Sequence, residues 1–275
     1  MLRRSEILAA VTALALVVAC ADTARGDPLP SEQWAIAPGA VLDLPGAWQL
    51  SQGAGVIVAV IDSGARLEHP DLAPNAWRNP FEVAGNRRDD DGNGYVDDVH
   101  GVNLTPGGST QDLHDGYGHG THVSGTIAAA ANQVGVVGVA YGAKLMTVKV
   151  LDDRGGGNTR TVAEGIRYAA ANGARIINLS VDSRDDDPSV RAAVKAAAAA
   201  DVLIVCSAGN GGRDLDRTRL FPVSIAAPNL IGVAATGQAN QYALESFSNY
   251  GRLTVPVAAP GAEGVSSART GGYES

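Results

Sequence analysis

Three polar side chains stand where a folded chain could assemble acid–base chemistry. Asp62 ends the apolar run GVIVAVID, His119 lies within GYGHGTHVSGT, and Asn210 follows the apolar run in VLIVCSAGN. A carboxylate can orient a histidine, a histidine transfers protons near neutral pH, and an amide can donate a hydrogen bond to a developing oxyanion. Taken singly, Asp62 has a simpler interpretation as a turn cap, and Asn210 as a turn former.

The surroundings of the central histidine are the most specific of the three. Gly118 and Gly120 flank His119 where an alanine-rich helix should begin, so the imidazole is expected in an open position suited to proton transfer. His122 lies one turn along and is expected to face the interior. A metal site with two histidine ligands fits less well, because no glutamate separates them and no third ligand is near. The remaining histidines are interpreted as structural or exposed: His69, His100 and His114.

The elements that must position these side chains follow a βαβ rhythm from Gly53 onward. Short apolar runs alternate with alanine-rich stretches, which predicts a parallel sheet covered on both faces by helices. The predicted strands are Val56 to Ile61, Lys144 to Val150, Arg175 to Leu179, Val202 to Cys206 and Leu230 to Ala234. The predicted helices are His119 to Ala131, Thr159 to Ala171 and Ser189 to Ala200.

Composition supports one α/β domain and argues against several other classes. The 275 residues are 45% hydrophobic and include 34 glycines, which is typical of a globular α/β protein with glycine-rich turns. The net charge of -8 disfavours nucleic acid as a partner. No GxGxxG segment follows the first strand, so a dinucleotide cofactor is not expected.

Residues 1–26 are typical of a bacterial export signal. Arg3 and Arg4 precede an apolar run from Ile7 to Ala19, which is shorter than the roughly 20 residues of a spanning helix. The run Val17 to Cys20 also fits a lipoprotein processing site, which would make Cys20 a lipid anchor; a simple cleaved signal is the alternative. The protein is therefore expected to be exported, as a cell-envelope lipoprotein or a secreted protein. Cys206 is interpreted as a small buried hydrophobic residue.

The segments VAVIDSG, GHGTHVSGT and SAGN, in this order, resemble those of the subtilisin-like serine proteases of peptidase family S8. The resemblance extends from about Asp27 to Ser275 and includes HPDL at residues 69–72. It implies an α/β three-layer fold with a mostly parallel central sheet flanked by helices. It also implies that Asp62 orients His119, that His119 is the general base, and that Asn210 supplies an oxyanion-hole amide. Substrates would be proteins or peptides, catalysis would need no cofactor, and the protein would be a monomer.

One part of the family pattern is not found. The resemblance leads to a Gly-Thr-Ser-Met-Ala segment that carries the nucleophile, and the sequence ends at Ser275 before such a segment. Ser266, Ser267 and Ser275 lack its context. We therefore expect the peptidase domain, residues 27–275, to be incomplete at its C-terminus and inactive as written. The alternative is a pseudoprotease that binds peptides or calcium without cleavage.

Two segments are expected to contact substrate, and one acidic loop is expected to bind metal. By the resemblance, Ser180 and Gly156 would lie on opposite walls of the cleft, while Asp182 stands where the family usually has glycine. The loop NRRDDDGNGYVDD is spaced like the first nine positions of a calcium loop, with His100 in place of the final glutamate. An uncoordinated acidic turn is the alternative to a structural Ca²⁺ there. The predicted ligands are Asp89, Asp91, Asn93, Tyr95 and Asp97.

Overall fold

A computed structural model describes residues 32–36, 40, 42–238, 242–262 and 264–275. The predicted export signal and Cys20 lie outside these residues. Among the described residues, no helix combines the length and the hydropathy needed to cross a membrane.

Seven parallel strands form the central sheet of the described chain, in the order β2-β3-β1-β4-β5-β6-β7. Their bounds are β1 Ile57–Asp62, β2 Gly101–Asn103, β3 Lys144–Lys149, β4 Ile176–Leu179, β5 Leu203–Ser207, β6 Leu230–Thr236 and β7 Val257–Pro260. A short antiparallel pair joins β8 Ser266–Ser267 to β9 Tyr273–Glu274. The five predicted strands are all present, as β1 and β3 to β6. The sheet therefore confirms the predicted α/β class.

Local sequence explains where the helices begin and end. They are α1 Leu44–Trp48, α2 His119–Ala128, α3 Thr159–Ala171 and α4 Pro188–Ala199, with a 3₁₀ turn at Ala73–Asn75. The side chain of Asn158 caps α3, and that of Asp187 caps α4. Helix α2 ends at Ala128 rather than at the predicted Ala131, because Ala129 is extended and the Ala130 amide donates to the Asp71 carbonyl.

Side chains of β1 show how the sheet is covered on both faces. Ala59 and Ile61 pack into a large core with α3 and α4, whereas Val58 and Val60 pack with Ala128 of α2. Alternate residues of a strand point to opposite faces, so α2 covers one face while α3 and α4 cover the other. The result is the predicted three-layer arrangement of helix, sheet and helix.

The parallel sheet brings the predicted site residues to one edge. Asp62 is the last residue of β1, Ser180 directly follows β4, and Asn210 lies just beyond β5. Parallel strands end on the same side of a sheet, and ligand sites of open α/β sheets form outside these carboxyl ends. His119 reaches the same edge from the start of α2.

Candidate functional site

Asp62 and His119 form a hydrogen-bonded pair. Nδ1 of His119 lies 2.8 Å from Oδ1 and 2.9 Å from Oδ2 of Asp62. The carboxylate of Asp62 is fully buried, whereas the His119 side chain is 42% exposed. With Nδ1 facing the carboxylate, Nε2 has no hydrogen-bond partner among the described residues. This arrangement suits a base that removes a proton on one side while its charge is stabilised on the other.

Two buried side chains fix the start of α2 and thereby place His119. The Asp115 carboxylate accepts hydrogen bonds from the backbone amides of Gly118 and Thr121 at 2.7 and 2.8 Å and from the Thr121 hydroxyl at 2.7 Å. The Gly120 amide donates to the Ser63 hydroxyl at 3.0 Å. These bonds satisfy amides that a helix start leaves without intrahelical partners. The negative charge of Asp115 also lies at the positive end of the helix dipole, which stabilises it.

The turn that follows Asp62 is tied to the same network. The Ser63 amide donates to Asp62 Oδ1 at 2.8 Å, and the Ser63 hydroxyl donates to Asp115 Oδ1 at 2.8 Å. Lys149 is 4% exposed, and its ammonium group donates to the Ser63 carbonyl at 2.6 Å and to Asp153 at 3.1 Å. The ends of β1 and β3 and the start of α2 are therefore held together behind the Asp62–His119 pair.

The pKa of His119 is raised above its ordinary value of 6.5, mainly by the hydrogen bond to Asp62. Burial lowers the pKa in opposition, and the charges of Asp62 and Asp115 raise it further. Both carboxylates stabilise the imidazolium, which is the form that a general base adopts after taking a proton. The electrostatics of the site thus support proton abstraction by His119.

A cleft of about 550 Å³ lies at the carboxyl edge of the sheet. His119, Asn210 and Ser180 all line it, so the structure brings together the predicted base, the predicted oxyanion amide and one predicted substrate contact. Gly155 and Gly157, the neighbours of the predicted contact Gly156, also line it. The Gly156 amide donates to Asp152 at 2.9 Å, in the tight turn that holds its two neighbours at the wall.

The other histidines differ in their surroundings. His69 is fully buried between the Asp71 amide, which donates to its Nδ1, and the Gly272 carbonyl at 3.0 Å from its Nε2. His100 Nδ1 lies 2.6 Å from the Trp77 carbonyl, and His122 Nε2 lies 3.0 Å from the Gly264 carbonyl. Of the two positions expected for His69, structural or exposed, its burial fits the structural one. His122 is only half-buried and contacts the segment before β8 instead of the sheet.

Burial also accounts for the state of the lone described cysteine. Cys206 is fully enclosed in the sheet, and burial raises the pKa of its thiol to about 12. A thiol with that pKa stays protonated at neutral pH and is a poor nucleophile. Cys206 therefore acts as the small hydrophobic residue predicted from its apolar run.

The serines near the C-terminus of the described chain lie away from the cleft walls. The Ser266 hydroxyl donates to the His122 carbonyl at 2.8 Å, and Ser267 is buried against Gly125 of α2. Ser275 is exposed. In the part of the chain that the structure describes, the hydrogen bonds of the His119 ring go to Asp62 alone.

Two carboxylates of the acidic loop converge with that of Glu82, which precedes the loop. Ligand atoms of Glu82, Asp91 and Asp98 lie within 4.8 Å of one another, and both Glu82 and Asp98 are buried. Oε2 of Glu82 is buried and has no hydrogen-bond partner among the described residues. No lysine or arginine of the described chain forms an ion pair with any of the three. Converging buried carboxylates repel one another, and their hard oxygens fit a cation such as Ca²⁺.

Of the three predicted carboxylate ligands, Asp89, Asp91 and Asp97, only Asp91 belongs to this group. Asp89 accepts hydrogen bonds from the amides of Asn93 and Gly94, and Asp97 accepts from those of Asn86 and Arg87. The Asn93 amide group links Asp91 to Asp98, and the Tyr95 hydroxyl donates to Glu164. The tight turns of the loop direct backbone amides at Asp89 and Asp97, so these carboxylates stabilise the loop itself.

Several residues of both sites could not be predicted from the sequence. Asp115 and Ser63 were not singled out, although an acidic residue shortly before a helix start is a recognised signal. Glu82 was overlooked because it precedes the acidic run, and Asp98 because the calcium-loop spacing favours Asp97. Only the fold places these residues against their partners.

The chain was compared with known proteins. The model of the subtilase family matches residues 53–275. Among curated relatives, an intracellular serine protease from Paenibacillus polymyxa is 36% identical over 85% of this chain, and Subtilisin Savinase from Lederbergia lenta is 39% identical over 76%. The chain spans 64% and 65% of the lengths of these two proteins.

The chain is also similar to thermitase and to a solved protease structure. Thermitase from Thermoactinomyces vulgaris is 35% identical over 85% of this chain and 73% of its own length. A structure of proteases from Pseudoalteromonas arctica superposes with a TM-score of 0.70 at 29% identity, covering 86% of this chain and 72% of that one. Together with the family match, these similarities show that the chain belongs to the subtilase family of serine proteases.

Proposed function

We propose that this chain supplies the acid–base machinery of a serine endopeptidase that cleaves proteins or peptides. The observation that carries the proposal is the pairing of Asp62 with His119 at a cleft that Asn210 also lines. In the proposed mechanism, His119 Nε2 takes the proton of an attacking serine hydroxyl and later passes it to the leaving amine. Asp62 holds the ring and stabilises the imidazolium, and Asn210 donates to the oxyanion of the tetrahedral intermediate.

The nucleophile is not assigned to a described residue. The 275 residues contain no Gly-Thr-Ser-Met-Ala segment, and the serines that line the cleft are Ser180 and Ser183. Ser180 accepts a hydrogen bond from Asn178 at 2.9 Å, and we assign it and the Gly155–Gly157 wall to peptide binding. These residues alone are accordingly proposed to hydrolyse no peptide.

Hydrolysis of a quenched fluorogenic peptide tests this function. The protein expressed from its native reading frame is compared with its His119→Ala and Asp62→Asn variants. Replacing a triad aspartate should lower kcat on the order of 10⁴-fold, since the histidine then loses its correct tautomer. A His119→Ala variant as active as the parent would contradict the proposal. Tight peptide binding with no hydrolysis by the native protein would favour the pseudoprotease alternative.

We also propose that Glu82, Asp91 and Asp98 hold a structural Ca²⁺. The support is the close approach of their oxygens, the burial of two of them and the unpartnered Oε2 of Glu82. A bound cation would offset the repulsion among the carboxylates and link the loop to α3, because Tyr168 of α3 donates to Asp98 at 2.6 Å. The ion would have no part in catalysis.

We also propose how the protein is exported and that it does not associate with itself. Residues 1–26 are proposed to direct export, with Cys20 as the lipid-bearing residue if the chain is a lipoprotein and with simple cleavage otherwise. Mass spectrometry of the mature N-terminus distinguishes the two forms. The protein is proposed to be a monomer, which light scattering at micromolar concentration tests.

A further inference from the structure

The cleft beside His119 is lined by acidic and apolar side chains. Asp182, Asp185 and Asp187 all line it, and among the described residues no lysine or arginine does. Asp182 and Asp185 are exposed, and neither belongs to an ion pair of the described chain. The ionised carboxylate of Asp187 accepts hydrogen bonds from the Thr159 hydroxyl and from the Ser189 amide at the start of α4. The cleft lining therefore contains three carboxylates and, among the described residues, no lysine or arginine.

The same cleft has an apolar floor. Val162, Val190, Phe221 and Ile225 are buried and line it together with the aspartates. Lysine and arginine side chains pack their methylene stems on apolar surface and keep their charged ends near water or carboxylates. The apolar side chains of the cleft suit the methylene stem of a lysine or arginine, and the carboxylates suit its charged end.

We infer that the cleft selects peptides that carry a lysine or arginine side chain, and that Asp182 is the main specificity-determining residue. This inference rests on the proposed function, because it assigns the substrate class of the same cleft. Asp182 takes this role because it follows Ser180 by two residues on the cleft wall and lies beside Gly209, where the turn leads to Asn210. Oδ2 of Asp182 would lie only 3.1 Å from a Cβ atom at Gly209.

A neighbouring hollow has the opposite charge and offers a competing outcome. Arg184, Arg213 and Arg219 line it, together with Asp182 and Asn210, which border both cavities. If these arginines governed recognition, peptides with an acidic side chain would bind best. None of the three forms an ion pair with Asp182, so the carboxylate remains available to the cleft.

Equilibrium binding of three labelled peptides tests the inference. Fluorescence anisotropy is measured with peptides that differ in one position, occupied by arginine, leucine or glutamate and flanked by alanines. The arginine peptide should bind about fivefold more tightly than the leucine peptide, as expected for one partly exposed charge pair. This preference should shrink as NaCl is raised from about 0.05 to about 0.5 M, because salt screens exposed charges.

Two variants complete the design. Asp182→Asn keeps the shape of the side chain and should abolish the preference for arginine, whereas Asp201→Asn removes an equal charge at the opposite edge of the sheet and should not change it. Far-UV circular dichroism checks that both variants are folded. Equal or tighter binding of the leucine or glutamate peptide, an unchanged preference in Asp182→Asn, or no binding of any peptide would overturn the inference.

Binding needs no nucleophile, so the inference and the proposed hydrolysis fail separately. Hydrolysis without a preference for cationic side chains would overturn the specificity alone. Preferential binding of the arginine peptide without hydrolysis by the native protein would overturn the proposed activity alone.

Discussion

The hydroxyl of Ser63 donates a 2.8 Å hydrogen bond to Asp115, which ties the residue after the buried carboxylate of Asp62 to the turn before His119. The two members of the Asp62–His119 pair come from elements that are distant in sequence. Their relative position therefore depends on this link as well as on their own hydrogen bond.

Removing the Asp115 carboxylate should destabilise the protein. In Asp115→Ala, the amides of Gly118 and Thr121 and the Ser63 hydroxyl lose a buried acceptor, and we expect the free energy of unfolding to fall by about 2–4 kcal/mol. Urea denaturation measures the change. Asp112→Ala is the matched control, because Asp112 is exposed and accepts only a 3.2 Å bond from the His114 amide. Equal stability of the two variants would contradict the role of Asp115.

The titration of His119 should report its pairing with Asp62. NMR of the imidazole should give a pKa above 6.5 in the parent chain and a lower pKa in Asp62→Asn, where the charge and the strong acceptor are lost. Since folding raises this pKa, the stabilising contribution is fully present below about pH 6.5 and is lost as the pH rises through the folded value. A general base must be neutral, so Asp62→Asn should also shift the acidic limb of the pH–rate profile to lower pH. An unchanged pKa would contradict the pairing.

Gly120 should tolerate no side chain. A Cβ atom there would lie 2.1 Å from the Gly64 carbonyl oxygen and 3.2 Å from Cβ of Asp62, so α2 would have to move away from the end of β1. We expect Gly120→Ala to lower the His119 pKa toward its ordinary value and to lower the melting temperature. Gly264→Ala is the control, because no atom lies within 4 Å of a Cβ at that position. If both variants melt and titrate alike, the close packing of α2 on β1 is not what places His119.

The carboxylate cluster should bind a lanthanide as a substitute for Ca²⁺. The Tyr168 hydroxyl lies 2.6 Å from Asp98, so excitation of tyrosine should sensitise Tb³⁺ luminescence that Ca²⁺ then quenches by displacement. Asp98→Asn should raise the Tb³⁺ concentration that gives half-maximal luminescence by at least about tenfold, whereas Asp89→Asn should change it little. Chelator should lower the melting temperature of the parent but not that of Asp98→Asn. Luminescence that depends on Asp89 and not on Asp98 would restore the ligand set predicted from the loop spacing.

The sequence predicted the elements with a strong hydrophobic pattern and the motifs attached to them. Five of the seven strands of the sheet and the helices that begin near His119, Thr159 and Pro188 follow from apolar runs and caps. Strands β2, β8 and β9 were missed because they have only two or three residues, and β7 because its residues are exposed or half-buried. Asp62, His119 and Asn210 could be predicted because each directly follows or begins a regular element.

What the sequence could not provide is contact between distant segments. The bond between Ser63 and Asp115 and the meeting of Glu82 with Asp98 depend on loop paths that no periodicity encodes. The same holds for the cleft, where Gly155 and Gly157 line the cavity on either side of the predicted Gly156, whose amide donates to Asp152.

Fluorophosphonate labelling followed by peptide mapping tests the serine-protease mechanism most directly. In the native protein, we expect one labelled serine and loss of labelling in His119→Ala. The 275 residues alone should remain unlabelled, since they contain no Gly-Thr-Ser-Met-Ala segment. Labelling that persists without His119, or that maps to Ser180 or Ser183 of the cleft, would contradict the assignment of His119 as the base of a subtilase triad.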